Sequence, residues 1–176
     1  MTTPIMIPAW VDGTLQPVEK LAAHQRGLRH LAISVFAMDG DRTLLQQRAA
    51  GKYHTPGLWA NACCTHPHWG EEMVDAAPRR LREELGITLP LTPRGQVEYR
   101  SDVGNGLIEH ELVSVFIADT SETHLVPEPN PDEVQATRWI SLDALKADVH
   151  ANPSHYTPWL AIYLDQFADQ IFSEAA

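Results

Sequence analysis

Glu109 and Glu111 sit two residues apart inside the apolar run Leu107–Ala118. Side chains alternate along a strand, so both carboxylates share a face with Leu107, Val113 and Val115, roughly 7 Å apart by strand rise. Two such charges in an apolar row repel unless a cation or a proton lies between them. His110 points to the opposite face. Three histidines can join the pair: His24 and His30, just ahead of the first long apolar run, and His66 in Cys63-Cys64-Thr65-His66-Pro67. Taken singly, each reads as an ordinary core or surface histidine. Together the five side chains offer the borderline nitrogen and oxygen donors that suit a divalent transition ion. Pro67 holds His66 extended, so Cys64 and His66 face one side and Cys63 the other. Cys64 is the thiol that can share a site with an imidazole. Cys63 reads as a small buried hydrophobe.

Elements must position these residues. Val18–Gln25 reads as a short helix carrying His24. Leu31–Met38 reads as a buried strand, followed by a turn at Asp39–Asp41 and a second strand at Thr43–Arg48. Ala49–Gly57 is a loop, and Trp59–Cys64 is extended. Asp75–Leu85 reads as a helix closed by Gly86. Pro78 is tolerated only in a first turn, which predicts Asp75 as the N-cap. Gln96–Asp102 and Leu107–Ala118 flank Asn105-Gly106, a strong hairpin signal. Glu133–Trp139 is a further strand, and Pro127–Pro131 a surface loop. Ser141 caps a helix, and one last helix carries Trp159, Leu160, Tyr163, Leu164, Phe167 and Ile171 on a single stripe. Interleaved strands and helices predict an α+β fold, with a mixed sheet sandwiched between helices (α/β/α).

The 176 residues include 13 Lys+Arg and 23 Asp+Glu, a net charge of −10. That length predicts a single domain over residues 1–176. The acidic balance argues against nucleic acid as a partner. The two cysteines are adjacent, which excludes a disulfide scaffold and suggests a reducing, cytoplasmic setting. The first residues lack the basic region of a signal peptide. No apolar run approaches the roughly 20 residues that span a bilayer, so no membrane partner is expected. Nothing resembles an interface signature, and a monomer is expected.

One charged stretch has a distinctive register. Aligned back from Gly86, the segment ending Arg79, Leu81, Glu83, Glu84, Gly86 and Ile87 resembles the Nudix signature, with Glu71 as its early glutamate. Two positions depart: Thr65 stands where the signature has glycine, and Arg80 where it has glutamate. In Nudix hydrolases these carboxylates hold Mg²⁺ against a diphosphate. Exchanging one for a cation suggests a helix that grips a diphosphate rather than cleaving it.

Further pieces fall in order: AAH at Ala22–His24, RHLAISVF at Arg29–Phe36, QQRA at Gln46–Ala49, PGLWANACCTHP at Pro56–Pro67, EYR at Glu98–Arg100, EHE at Glu109–Glu111, DEV at Asp132–Val134 and TPWL at Thr157–Leu160. Across nearly its whole length the chain resembles the type 1 isopentenyl diphosphate isomerases of the Nudix superfamily. The resemblance implies that Cys64 and Glu111 act as acid and base on opposite faces of an unactivated double bond. It implies that Tyr99 bonds near Glu111 and that Trp159 faces a tertiary carbocation. It makes His24, His30, His66, Glu109 and Glu111 a site for Mn²⁺ or Zn²⁺. Glu84 would help hold Mg²⁺ with the substrate diphosphate, beside Lys20, Arg48, Lys52 and Arg80. The rivals are a Nudix diphosphohydrolase, against which Arg80 and the Cys/Glu constellation argue, and a catalytically silent Nudix-fold binding module.

Overall fold

The computed structural model describes residues 4–173. Its first elements are strands that the sequence reading missed. β1 (Met6–Val11) and β2 (Thr14–Glu19) form an antiparallel hairpin. Pro8 and Pro17 lie opposite each other in it. Proline is uncommon in ladders because it donates no hydrogen bond, which hid both strands. Helix α1 (Lys20–Arg26) follows directly, so Val18 and Glu19 end the hairpin rather than begin a helix.

β3 (His30–Asp39) is the spine of the sheet. It runs parallel to β8 (Ile108–Asp119) from His30 beside Glu111 to Met38 beside Asp119. On its other side it meets β1 at its start, β6 (Cys63–Thr65) in the middle and β4 (Arg42–Arg48) at its end, all antiparallel. β4 in turn pairs with β5 (Trp59–Asn61) and β9 (Val134–Ser141), and β7 (Thr92–Asp102) with β8. The β7–β8 turn has positive φ at Asn105 (56°) and Gly106 (72°). Gly104 joins them with φ 85°, so three residues of positive φ turn the chain between Val103 and Leu107.

Helices cover both faces, as expected of a mixed sheet sandwiched between them. α2 (Met73–Leu85) packs Ala76, Ala77, Leu81 and Leu85 against Ile33, Val35 and Cys63. On the other face Phe36, Val113 and Val115 meet Leu145 from α3 (Leu142–Ala151) and Trp159, Leu160 and Tyr163 from α4 (Pro158–Gln166). Cys63 and Cys64 therefore face different layers, as the alternation of an extended segment requires.

Two further helix boundaries differ from expectation. α2 starts at Met73 with Glu72 as its N-cap, so Pro78 lies inside the helix rather than in its first turn. The single last helix is two, α4 and α5 (Ala168–Phe172), separated at Phe167, which has φ −127° and ψ 7°. The apolar stripe hid the break because helical spacing resumes after one residue. Among the described residues, no helix is long and apolar enough to cross a membrane.

Candidate active site

Sheet register builds the first row of the site. Across three neighbouring strands Tyr99 lies beside Glu111, and Glu111 beside His30. The Tyr99 hydroxyl donates to Glu111 Oε2 at 2.7 Å. His66, just past β6, brings its Nε2 to 2.9 Å from Glu111 Oε1 and 3.2 Å from His30 Nε2. α1 supplies His24. The helix is capped by the Glu19 carboxylate, which accepts from Leu21 N and Ala22 N at 3.0 and 2.8 Å. It ends at Gly27, with φ 60°, where a Cβ would come within 3.1 Å of Ile108. His24 Nε2 then lies 3.1 Å from Glu109 Oε2, and His30 Nε2 lies 3.4 Å from the same oxygen.

The hydrogen bonds at the back of these rings fix their chemistry. His24 Nδ1 lies 2.6 Å from the Lys20 carbonyl and His30 Nδ1 2.7 Å from the Leu28 carbonyl. A carbonyl only accepts, so each Nδ1 carries a proton, and Nε2 is the nitrogen that faces inward with a lone pair whenever the ring is neutral. Metal-binding histidines are oriented in the same way. The donor atoms of His24, His30, His66 and Glu109 all lie within 4.8 Å of one another, and all four residues are buried. His24 Nε2 and Glu109 Oε2 are close, yet neither has a hydrogen-bond partner. Donors arranged around a common ion would stand in this relation, so the residues fit a divalent cation.

Without that cation the cluster shares protons. Burial disfavours charge on His30, but Glu109 and Glu111 more than offset this and raise it to about 10. Burial first, and then the charge of Glu109, pushes Glu111 up to about 7. Burial also opposes ionisation of Glu109, yet its histidine contacts hold it well below the usual carboxylate range. A carboxyl poised near neutrality can both give and take a proton.

Cys64, Tyr99, Glu111 and Trp159 line one small chamber of about 20 Å³, together with Lys20, Arg48 and Lys52. Cys64 Sγ lies 3.6 Å from the Tyr163 hydroxyl. Burial, reinforced by the charge of Glu111, lifts the Cys64 thiol well above its usual value and keeps it protonated. Outside the chamber a cleft of about 490 Å³ carries Lys20, Lys52 and Arg80, with Glu133 at its edge. Arg48 is set apart from those three: its guanidinium lies 5.3 Å from the centre of the Trp159 ring and donates to the His54 carbonyl. Burial, then the charges of Lys52 and Arg80, lowers Lys20 to about 8.

The cleft cations have partners. Lys52 pairs with Glu133, and Arg80 donates to Glu83 and Glu84 at 2.8 and 2.7 Å. The second Glu84 oxygen accepts from Gln46 at 2.8 Å. Gln46, Tyr163 and His54 are site residues that the sequence did not disclose. Tyr163 reads only as part of an apolar stripe, Gln46 as one polar residue in a strand, and His54 as a loop histidine.

The NUDIX domain model matches residues 28–160. The fold is similar to that of the DR0079 protein of Deinococcus radiodurans, with a TM-score of 0.73 at 16% identity over 90% of this chain and 96% of that one. It is also similar to the E. coli dihydroneopterin triphosphate pyrophosphohydrolase, with a TM-score of 0.58 at 21% identity over 78% and 93%. These likenesses define the class, a NUDIX fold. Sequence relatives narrow it. The isopentenyl-diphosphate Delta-isomerase of Rhodobacter capsulatus is 61% identical over 95% of both chains, and that of Dinoroseobacter shibae 58% identical over 97% of both. The chain belongs to the isopentenyl-diphosphate Delta-isomerase family within the NUDIX superfamily.

Proposed function

We propose that the chain, acting as one Nudix-like domain over residues 1–176, converts isopentenyl diphosphate to dimethylallyl diphosphate. The observation that carries the reading is the chamber itself: the Cys64 thiol and the Glu111 carboxyl line one buried space beneath a cationic cleft. Lys20, Lys52 and Arg80 receive the diphosphate, with Arg48 deeper, because guanidinium forks suit phosphate oxygens. The five-carbon end enters the chamber. At about 20 Å³ the chamber has room for about one water, so its walls must part to admit the substrate and then close around it.

Cys64 and Glu111 divide two jobs. One protonates the terminal methylene, which leaves a tertiary cation, and the other takes a proton from the neighbouring carbon to set the double bond in its new place. Tyr99 holds Glu111 Oε2 in position throughout. Trp159, 2% exposed, turns an aromatic surface toward the cation, an attraction worth about 2 kcal/mol in a dry site. The closed apolar walls keep out water, which would otherwise capture the cation.

His24, His30, His66, Glu109 and Glu111 would hold one transition ion, Mn²⁺ or Zn²⁺, and Glu84 would help hold Mg²⁺ with the diphosphate. Bound there, such ions supply positive charge that tunes Glu111 and screens the substrate. The two free thiols support a cytoplasmic setting, and the net charge of −10 supports a small-molecule partner rather than nucleic acid. Incubation with isopentenyl diphosphate and Mg²⁺ tests the reading. Dimethylallyl diphosphate is the expected product. Release of phosphate or diphosphate would instead indicate hydrolysis, and no reaction at all would indicate a binding module.

A further inference from the structure

His54 lies in the loop between β4 and β5, yet it is only 4% exposed. A buried imidazole needs partners at both nitrogens. Its Nε2 lies 3.0 Å from Glu109 Oε1, the oxygen opposite the one that faces His24 and His30. Its Nδ1 lies 3.0 Å from Thr55 Oγ1. An ionised carboxylate only accepts, so Nε2 carries the proton and Nδ1 receives the Thr55 hydroxyl. The ring stacks on His24 with centroids 5.6 Å apart and meets Trp159 edge-on at 5.9 Å.

The loop is held against its own preference. Thr55 has φ 46°, in the left-handed region, where a β-branched residue is a rarity. Such strain persists only where the surroundings over-determine it. Here Arg48 binds the His54 carbonyl at 3.3 Å, Gln47 binds the Gly57 carbonyl at 2.9 Å, and Gly57 N binds the Arg48 carbonyl at 3.0 Å. Together they hold the His54 ring against Glu109.

We propose that His54 is a positioning residue of the metal centre, fixing Glu109 through Oε1 so that Oε2 faces His24, His30 and His66. The inference rests on reading those residues as a metal site. His54 is not counted among the ligands, because it reaches the outer oxygen and stands outside the group whose donor atoms gather within 4.8 Å. A carboxylate already tethered has less freedom to lose when an ion binds.

The test is competition of the metal-free protein against a chelator of known affinity for Zn²⁺ and Mn²⁺. The variants are His54→Leu, which keeps bulk without a donor, and His54→Gln, whose amide can donate at similar reach. His24→Ala is the control, with circular dichroism to check folding. His54→Leu is expected to bind about 10- to 100-fold more weakly, and His54→Gln to recover most of the loss. If the Leu variant does not fold, His54→Ala takes its place. Unchanged affinity in the donorless variant would overturn the proposal. So would a Gln variant as weak as that one, because the imidazole itself would then be required. Full affinity in His24→Ala would instead bring down the metal-site reading on which the proposal rests.

Discussion

At the scale of single residues, Cys63 and Cys64 are chain neighbours with opposite surroundings. Cys63 is fully buried against α2, and burial, followed by the nearby Glu84, pushes its thiol well above its usual value. Cys64 opens into the chamber that holds Glu111. Cys64→Ser is expected to fold normally and lose nearly all turnover, whereas Cys63→Ser keeps most of it. Equal losses in steady-state assays would contradict the assignment. The parity behind it was legible in the sequence because Pro67 extends the chain before it and strand alternation does the rest. Glu109 and Glu111 were legible for the same reason. His54 was not, because its placement depends on an irregular loop and on a left-handed Thr55, neither of which leaves a periodic trace.

At the scale of elements, α2 carries a proline where a helix least wants one. Pro78 is exposed and lies in the sixth helical position, counted from Met73. It cannot donate to the Val74 carbonyl, and its ring crowds that oxygen. The buried stripe of Ala76, Ala77, Leu81 and Leu85 overrides this cost, since truncating one such leucine alone typically costs about 2–5 kcal/mol. Pro78→Ala is therefore expected to stabilise the fold by about 1–3 kcal/mol, read as a higher unfolding midpoint with unchanged activity. An unchanged or lower midpoint would mean that the helix start is already adapted to the ring. The same competition explains the boundaries that sequence reading misplaced. Proline suggested a later start to α2 and hid the N-terminal hairpin, but burial of Ile7, Ala9 and Val18 against Ala23 decided the hairpin. Long strands with clean alternation, β3 and β8, were legible because nothing local opposed them.

At the scale of the whole molecule, a chain of net charge −10 gathers Lys20, Lys52 and Arg80 around one cleft. Burial, and then crowding by the other two cations, leave Lys20 charged below about pH 8 and neutral above it. Loss of that charge weakens the grip on a diphosphate, so kcat/KM, which reports on the free enzyme, is expected to fall as pH rises through about 8. Lys20→Met is expected to be less active and to lack this limb of the profile. The same limb in that variant would assign it to another group. The NUDIX fold itself accommodates hydrolases, so fold cannot settle the chemistry, whereas the fate of one proton can. The most direct measurement is the reaction of isopentenyl diphosphate in deuterium oxide, followed by mass and nuclear magnetic resonance analysis of the product. Protonation of the terminal methylene by a group that exchanges with solvent is expected to place deuterium in a methyl group of dimethylallyl diphosphate, with the diphosphate intact. Product free of solvent deuterium, or release of phosphate in place of the allylic product, would contradict an isomerase that works through Cys64 and Glu111.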